Sequence, residues 1–164
     1  MKINPRRHRD TEVKPKGKGT STALKVAKGV RRIRQRYKSD CGIACVAMVA
    51  KVAYKEALDA FAFSKNRKTF YTSHNKLEGT LKILGLQVHL KKFRSWDDIS
   101  GSAIIPVNHR CQGRNFHWVV YDRKAILDPN PNRPARQKAL SRYRSSGWYL
   151  QVNINGGDDA KIKN

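Results

Sequence analysis

"SDCGIACVAMVA", residues 39–50, sets a cysteine between an aspartate and a glycine, directly before a run of small apolar residues. Ile43, Val46, Ala47, Val49 and Ala50 recur at helical spacing, with no proline and no glycine after Gly42, so the stretch predicts a helix that begins at the cysteine. Asp40 is a favoured N-cap residue, which puts Cys41 and Gly42 in the first turn. A thiol there points toward unpaired backbone N–H groups and the positive end of the helix dipole. Both favour thiolate over thiol, and the thiolate is the nucleophile. Gly42 is expected to leave room for a substrate backbone to approach. Cys45, one turn later, faces the helical core and reads as inert packing.

Two further helices are predicted downstream. "YKEALDAFAF", residues 54–63, forms a second short one, and "SHNKLEGTLKILG", residues 73–85, a third, with Ser73 or His74 near its start and Gly85 as its stop. Then the apolar period changes to two. "LQVHLKKF", "SAIIPVNH", "FHWVVYD", "KAILDPN" and "GWYLQV" read as strands separated by turn residues. Three helices followed by about five strands predict an α+β domain, its helices gathered on one side of an antiparallel sheet.

The 164 residues fit one domain with tails, and the apolar residues cluster between about Ile33 and Val152. Residues 1–32 hold many cations, scattered Pro and Gly and few large apolar groups, a composition that predicts a flexible basic arm; residues 153–164, with Gly156 and Gly157, predict a flexible tail. No apolar run approaches the ~20 residues that span a bilayer, and the N-terminus lacks a secretory apolar segment, so a cytoplasmic protein with no membrane span is expected. Three cysteines cannot all pair, and all three read as free thiols in a reducing compartment. Against 12 Asp and Glu stand 35 Lys and Arg, a formal charge of +23. That balance favours polyanionic partners, or else a solubilising surface on a protein that reads none of them.

A cysteine nucleophile needs a base, and the base needs a group to orient it. Among the five histidines, His8 lies in the arm, His74 near a helix start, His89 on a strand and His109 in the polar loop "NHRCQGRN". His117 opens the strand "HWVVYD" directly before an apolar segment, which holds its imidazole at a sheet edge. Eleven residues later Asp128 ends the next strand in "ILDPN". Antiparallel pairing of these strands through a turn near residues 122–124 brings Asp128 back beside His117, giving a Cys–His–Asp set. A core histidine and a turn aspartate before proline remain the alternative at this point.

Six residues before Cys41 stands Gln35. In papain-like thiol proteases a glutamine just upstream of the nucleophile donates its amide to the oxyanion. "QRYKSDCGIACVAMVA" resembles the signature of the bacteriocin-processing, double-glycine peptidases, a papain-like family. "YTSHNKLEGTLKILGLQVHLKKF" is similar to the family's middle helix and following strand, "AIIPVNH…NFHWVVYD" to its approach strand and histidine strand. "AILDPN" and "GWYLQV" complete the match, which runs from about Ile33 to Val152. The resemblance implies a papain-like peptidase domain over residues 33–152, standing alone, that cleaves a peptide or isopeptide bond of a peptide or protein substrate. It implies Cys41 as nucleophile, His117 as general base and acid, Asp128 as its orienter, and Gln35 in the oxyanion hole. No cofactor is needed.

Two other chemistries compete. Cys41, Cys45, His109, Cys111 and His117 can be counted as metal ligands, but their spacing lacks the paired knuckles of structural zinc sites, and no metal is expected. A nucleic-acid-binding protein on a papain-like fold, with a degenerate or secondary site, is the alternative function. Aromatic residues interleave with cations in "KNRKTFYTSHNK" and "RPARQKALSRYRSSGWY", and Arg31, Arg32, Arg34, Arg36 and Lys38 crowd the approach to Cys41.

Overall fold

The small apolar residues after Cys41 form helix α1, Cys41–Ala50, and Lys51 ends it in the left-handed conformation. The structure is a computed structural model and describes residues 29–64, 67–110, 115–145 and 147–153. The basic arm to residue 28, Cys111 and the double glycine of the tail lie outside the described residues. Every residue from Gly42 to Val49 is buried, so α1 has no solvent face. It packs on β3 and β2 on one side and on α2 and α3 on another. Small side chains make that possible, because helix axes and sheet approach closely only where the intervening residues are Ala, Val and Gly.

Helices α2, Tyr54–Ala60, and α3, His74–Ile83, follow. Ser73 caps α3 by accepting the Lys76 N–H, and Gly85 follows its end at φ +80°, a conformation glycine adopts without strain. Strands β1, Gln87–Lys92; β2, Ser102–Arg110; β3, Asn115–Asp122; β4, Ala125–Leu127; and β5, Trp148–Asn153, form one antiparallel sheet in the order β1-β5-β2-β3-β4. The molecule is α+β, with three helices and a five-stranded sheet.

Alternation along the strands divides the apolar residues between two cores. Ile104, Trp118, Val120 and Leu150 join the helix-side core, and Ile105, Val119, Tyr121 and Tyr149 join a second core with Phe93, Trp96 and Tyr143. Val30, which composition assigns to the arm, is buried in the helix-side core, so the packed region begins ahead of residue 33.

Two features of the sheet set the site. β4 pairs with β3 only from Val120 to Asp122, so the first half of β3, including His117, has no β4 partner. The turn between them places Arg123 and Lys124 at φ 49° and 58°. Without glycine or asparagine in those positions, the turn is held by the strand pairing and by Arg136, whose guanidinium donates to the Asp122 carbonyl at 2.6 Å.

Candidate active site

Helix α1 presents Cys41 at its first position, half-buried, as the spacing predicts. The cap differs from the expected one. Asp40 occupies the N-cap position, but its side chain makes no cap bond. The fully buried carboxylate turns back instead, accepting the Arg36 N–H at 2.9 Å, the Tyr37 N–H at 3.0 Å and the Tyr54 hydroxyl. The aspartate thus folds the segment that leads into the cysteine. Burial and the bond to Asp40 both push the Tyr54 phenol well above its ordinary pKa, so it stays a donor.

Gly42 also serves a different purpose from the one expected. A Cβ there would lie 2.1 Å from the Thr72 hydroxyl oxygen and 3.2 Å from a Leu77 methyl. The space beside the cysteine is filled by the segment before α3, not left for substrate. Cys45 is fully buried, and burial raises its pKa well above that of a free thiol, as packing without reactivity requires.

His117 stands on β3 opposite Val107 of β2, and its Nε2 lies 2.6 Å from Asp128 Oδ1. The Cys41 side chain lies close enough to the ring to favour its charged form. Burial opposes the charged imidazole, but the bonds to Asp128 and Cys41 and the charge of both outweigh it. The His117 pKa rises to about 9. The ring is therefore an imidazolium at neutral pH.

Asp128 is 2% exposed and fully engaged. Oδ1 also accepts the Asn130 N–H at 2.8 Å, and Oδ2 accepts the Tyr143 hydroxyl at 2.9 Å. Burial works against the carboxylate, yet His117, Asn130 and Tyr143 together hold its pKa below the ordinary value. Tyr143 is the partner that sequence reasoning missed. It lies in a basic loop read as a binding surface, and only the return of that loop across the sheet brings it to Asp128. Nothing in the local pattern announces it.

Gln35 is tied to the same corner. Its N–H donates to the Pro129 carbonyl at 2.9 Å, and the nearby Arg32 Nε donates to the Asp128 carbonyl at 2.6 Å. Its side-chain amide donates to the Tyr37 carbonyl at 2.7 Å, leaving the second amide N–H uncommitted, while Oε1 is buried without a partner. An open groove runs past it, with Arg36, Lys38, Lys68, Tyr37 and Tyr71 on its walls.

Of the remaining histidines, His74 bonds the Trp148 carbonyl through Nε2 at 2.8 Å, packs edge-on against Trp118 and stays outside the cluster. His89 is exposed on β1. Among the described residues no three metal-ligating side chains converge, and no helix is long and apolar enough to cross a membrane.

Neither family models nor curated protein sequences match the chain. Solved structures do. The peptidase domain of Streptococcus ComA, a bifunctional ABC transporter in a quorum sensing pathway, aligns with a TM-score of 0.55 at 19% identity, covering 75% of this chain and 97% of that domain. A double glycine motif protease from an AMS/PCAT transporter, solved with its leader peptide, gives 0.55 at 19%, covering 75% and 90%. The Streptococcus mutans ComA peptidase domain gives 0.52 at 18%, covering 75% and 98%. The fold of this chain is the fold of the double-glycine peptidase domains, the family its cysteine stretch resembles.

Proposed function

We propose that this chain is a cysteine peptidase acting through Cys41, His117 and Asp128, with Gln35 as an oxyanion donor. The observation that carries the reading is the grouping of three side chains: a thiol at a helix start, an imidazole close to it, and a buried carboxylate 2.6 Å from the ring's Nε2. The neighbouring imidazolium favours the anionic sulfur, which attacks the substrate carbonyl carbon. The oxyanion that forms meets the Cys41 backbone N–H and the second amide N–H of Gln35. Collapse of this intermediate breaks the C–N bond as His117 gives its proton to the departing amine, leaving a thioester on Cys41. His117, now neutral, takes a proton from water; the hydroxyl adds to the thioester, and the acid leaves as the sulfur is restored. Asp128 fixes the ring and balances its charge throughout.

The substrate is a peptide, extended through the groove beside Gln35. The leader peptide bound by the AMS/PCAT protease supports this choice. Digestion of a peptide library by wild type and by Cys41→Ala tests the reading. Cleavages present only with wild type support it, and identical digests overturn it.

A further inference from the structure

The segment after Asp128, "PNPNRPARQKALSRYR", residues 129–144, holds four arginines, one lysine and no acid. It folds back over the sheet. Gln137 and Ile126 exchange both backbone hydrogen bonds at 2.8 Å, Tyr143 reaches Asp128, and the Arg144 N–H donates to Asn108 Oδ1 at 3.1 Å. The return encloses a cleft of about 260 Å³ that has His117 and Asp128 in its wall but not Cys41.

Phe116 and the Tyr143 ring form the apolar part of the cleft wall, and most of the rest of the wall carries donors. Asn108 and Asn130 each spend their amide oxygen on a backbone N–H, from Arg144 and from Asn132, and among the described residues the NH2 group of each has no partner. Gln137 is 7% exposed, and its Nε2 is buried with no partner. Arg133 and Arg142 also line the cleft, and neither guanidinium has an ion pair or hydrogen bond to another described residue. Arg136 differs: it is taken up by Asp122, with which it makes an ion pair at 3.4 Å. The one carboxylate in the wall, Asp128, is fully committed to His117, Asn130 and Tyr143. A buried, unpartnered amide donor costs stability unless an acceptor comes to it. Planar amides and guanidinium forks match a carboxylate better than any neutral group.

We propose that this cleft takes a carboxylate on the leaving-group side of the substrate, so that the peptidase selects an anion just after the bond it cuts. The inference rests on the peptidase reading above, because His117, which protonates the leaving amine, forms the cleft's edge. Two sources supply the group: an acidic side chain, or the substrate's own C-terminal carboxylate.

Partitioning of the acyl-enzyme separates these possibilities. With acetyl-Gly-Gly p-nitrophenyl ester, the Cys41 sulfur displaces p-nitrophenolate and forms a thioester. An added amine attacks that thioester, giving a new amide while its proton passes through His117 and the sulfur leaves. Glutamine amide, glutamic acid α-amide and free glutamine are compared as acceptors at equal concentrations of unprotonated amine. At least one carboxylate-bearing acceptor is expected to beat glutamine amide by about tenfold, the scale of one charge-assisted hydrogen-bond pair. Preference for glutamic acid α-amide identifies a side chain, and preference for free glutamine identifies a chain terminus. In Arg133→Gln/Arg142→Gln the ratio should collapse to about one, and in Arg142→Glu it should invert, since like charges repel across the cleft. Equal use of all three acceptors overturns the inference, as does a preference that survives the double substitution. Absence of a Cys41-dependent p-nitrophenolate burst overturns the peptidase reading itself, and this inference with it.

Discussion

Asp128→Asn removes the charge that sustains the His117 imidazolium while keeping an oxygen that can accept from Nε2. In the wild type the ring's pKa is about 9 against an ordinary 6.5, although burial works against the cation. That interval corresponds to about 3 kcal/mol at about 1.4 kcal/mol per pH unit. Because the folded value is the higher one, the stabilisation is fully present below pH 6.5 and is lost as pH rises through about 9. In Asp128→Asn only Cys41 still opposes burial, so the ring should titrate well below 9. NMR titration of the imidazole signals in both proteins reads this directly. Urea unfolding reads the same linkage: the variant should lose up to about 3 kcal/mol below pH 6.5 and distinctly less above pH 9. A variant ring that still titrates near 9, or a stability loss independent of pH, would refute the coupling.

Four other substitutions test the surrounding parts. Gln35→Ala should lower peptidase turnover by roughly 10²–10³, the scale of one oxyanion donor, with unchanged alkylation of Cys41 by iodoacetamide; full turnover would remove Gln35 from the mechanism. Gly42→Ala forces a methyl onto the Thr72 hydroxyl 2.1 Å away, and a loss of about 1–3 kcal/mol is expected in thermal unfolding, partly recovered by adding Thr72→Ala. The Thr72 hydroxyl is itself buried without a partner, so Thr72→Ala alone should cost little. Tyr143→Phe removes one donor from the buried Asp128 carboxylate; about 1–3 kcal/mol should be lost, and the fall in stability on acidification should begin at a higher pH, because the Asp128 pKa moves up.

The helices, the strands and the nearness of His117 to Asp128 were legible because each depends on short-range signals. A helix period of small residues follows Cys41, strand alternation begins at His117, and an Asp-Pro pair closes the next strand eleven residues on. Proximity of His117 and Asp128 then follows from one hairpin. Its turn was less legible, since Arg123 and Lys124 adopt left-handed backbone that their side chains do not announce. Gly42 and Asp40 were identified as special, but their partners were not. A glycine reads the same whether substrate or Thr72 fills the space beside it, and an aspartate before a helix caps forward or folds the preceding turn according to what surrounds it. Tyr143, Arg32 and the donor-lined cleft depend on the long return of residues 129–144, where no periodicity exists to read. Long-range placement of polar side chains is set by the packed sheet, not by local pattern.

The central claim is that His117 activates Cys41 as a nucleophile. Alkylation by iodoacetamide near neutral pH, with each modified cysteine mapped by mass spectrometry, tests it without knowledge of the substrate. Cys41 should react fastest, Cys45 should remain unmodified until the protein unfolds, and His117→Ala should slow Cys41 to the rate of an ordinary thiol while circular dichroism stays native. Cys41 reacting no faster than Cys111, or at a rate indifferent to His117→Ala, would contradict the account.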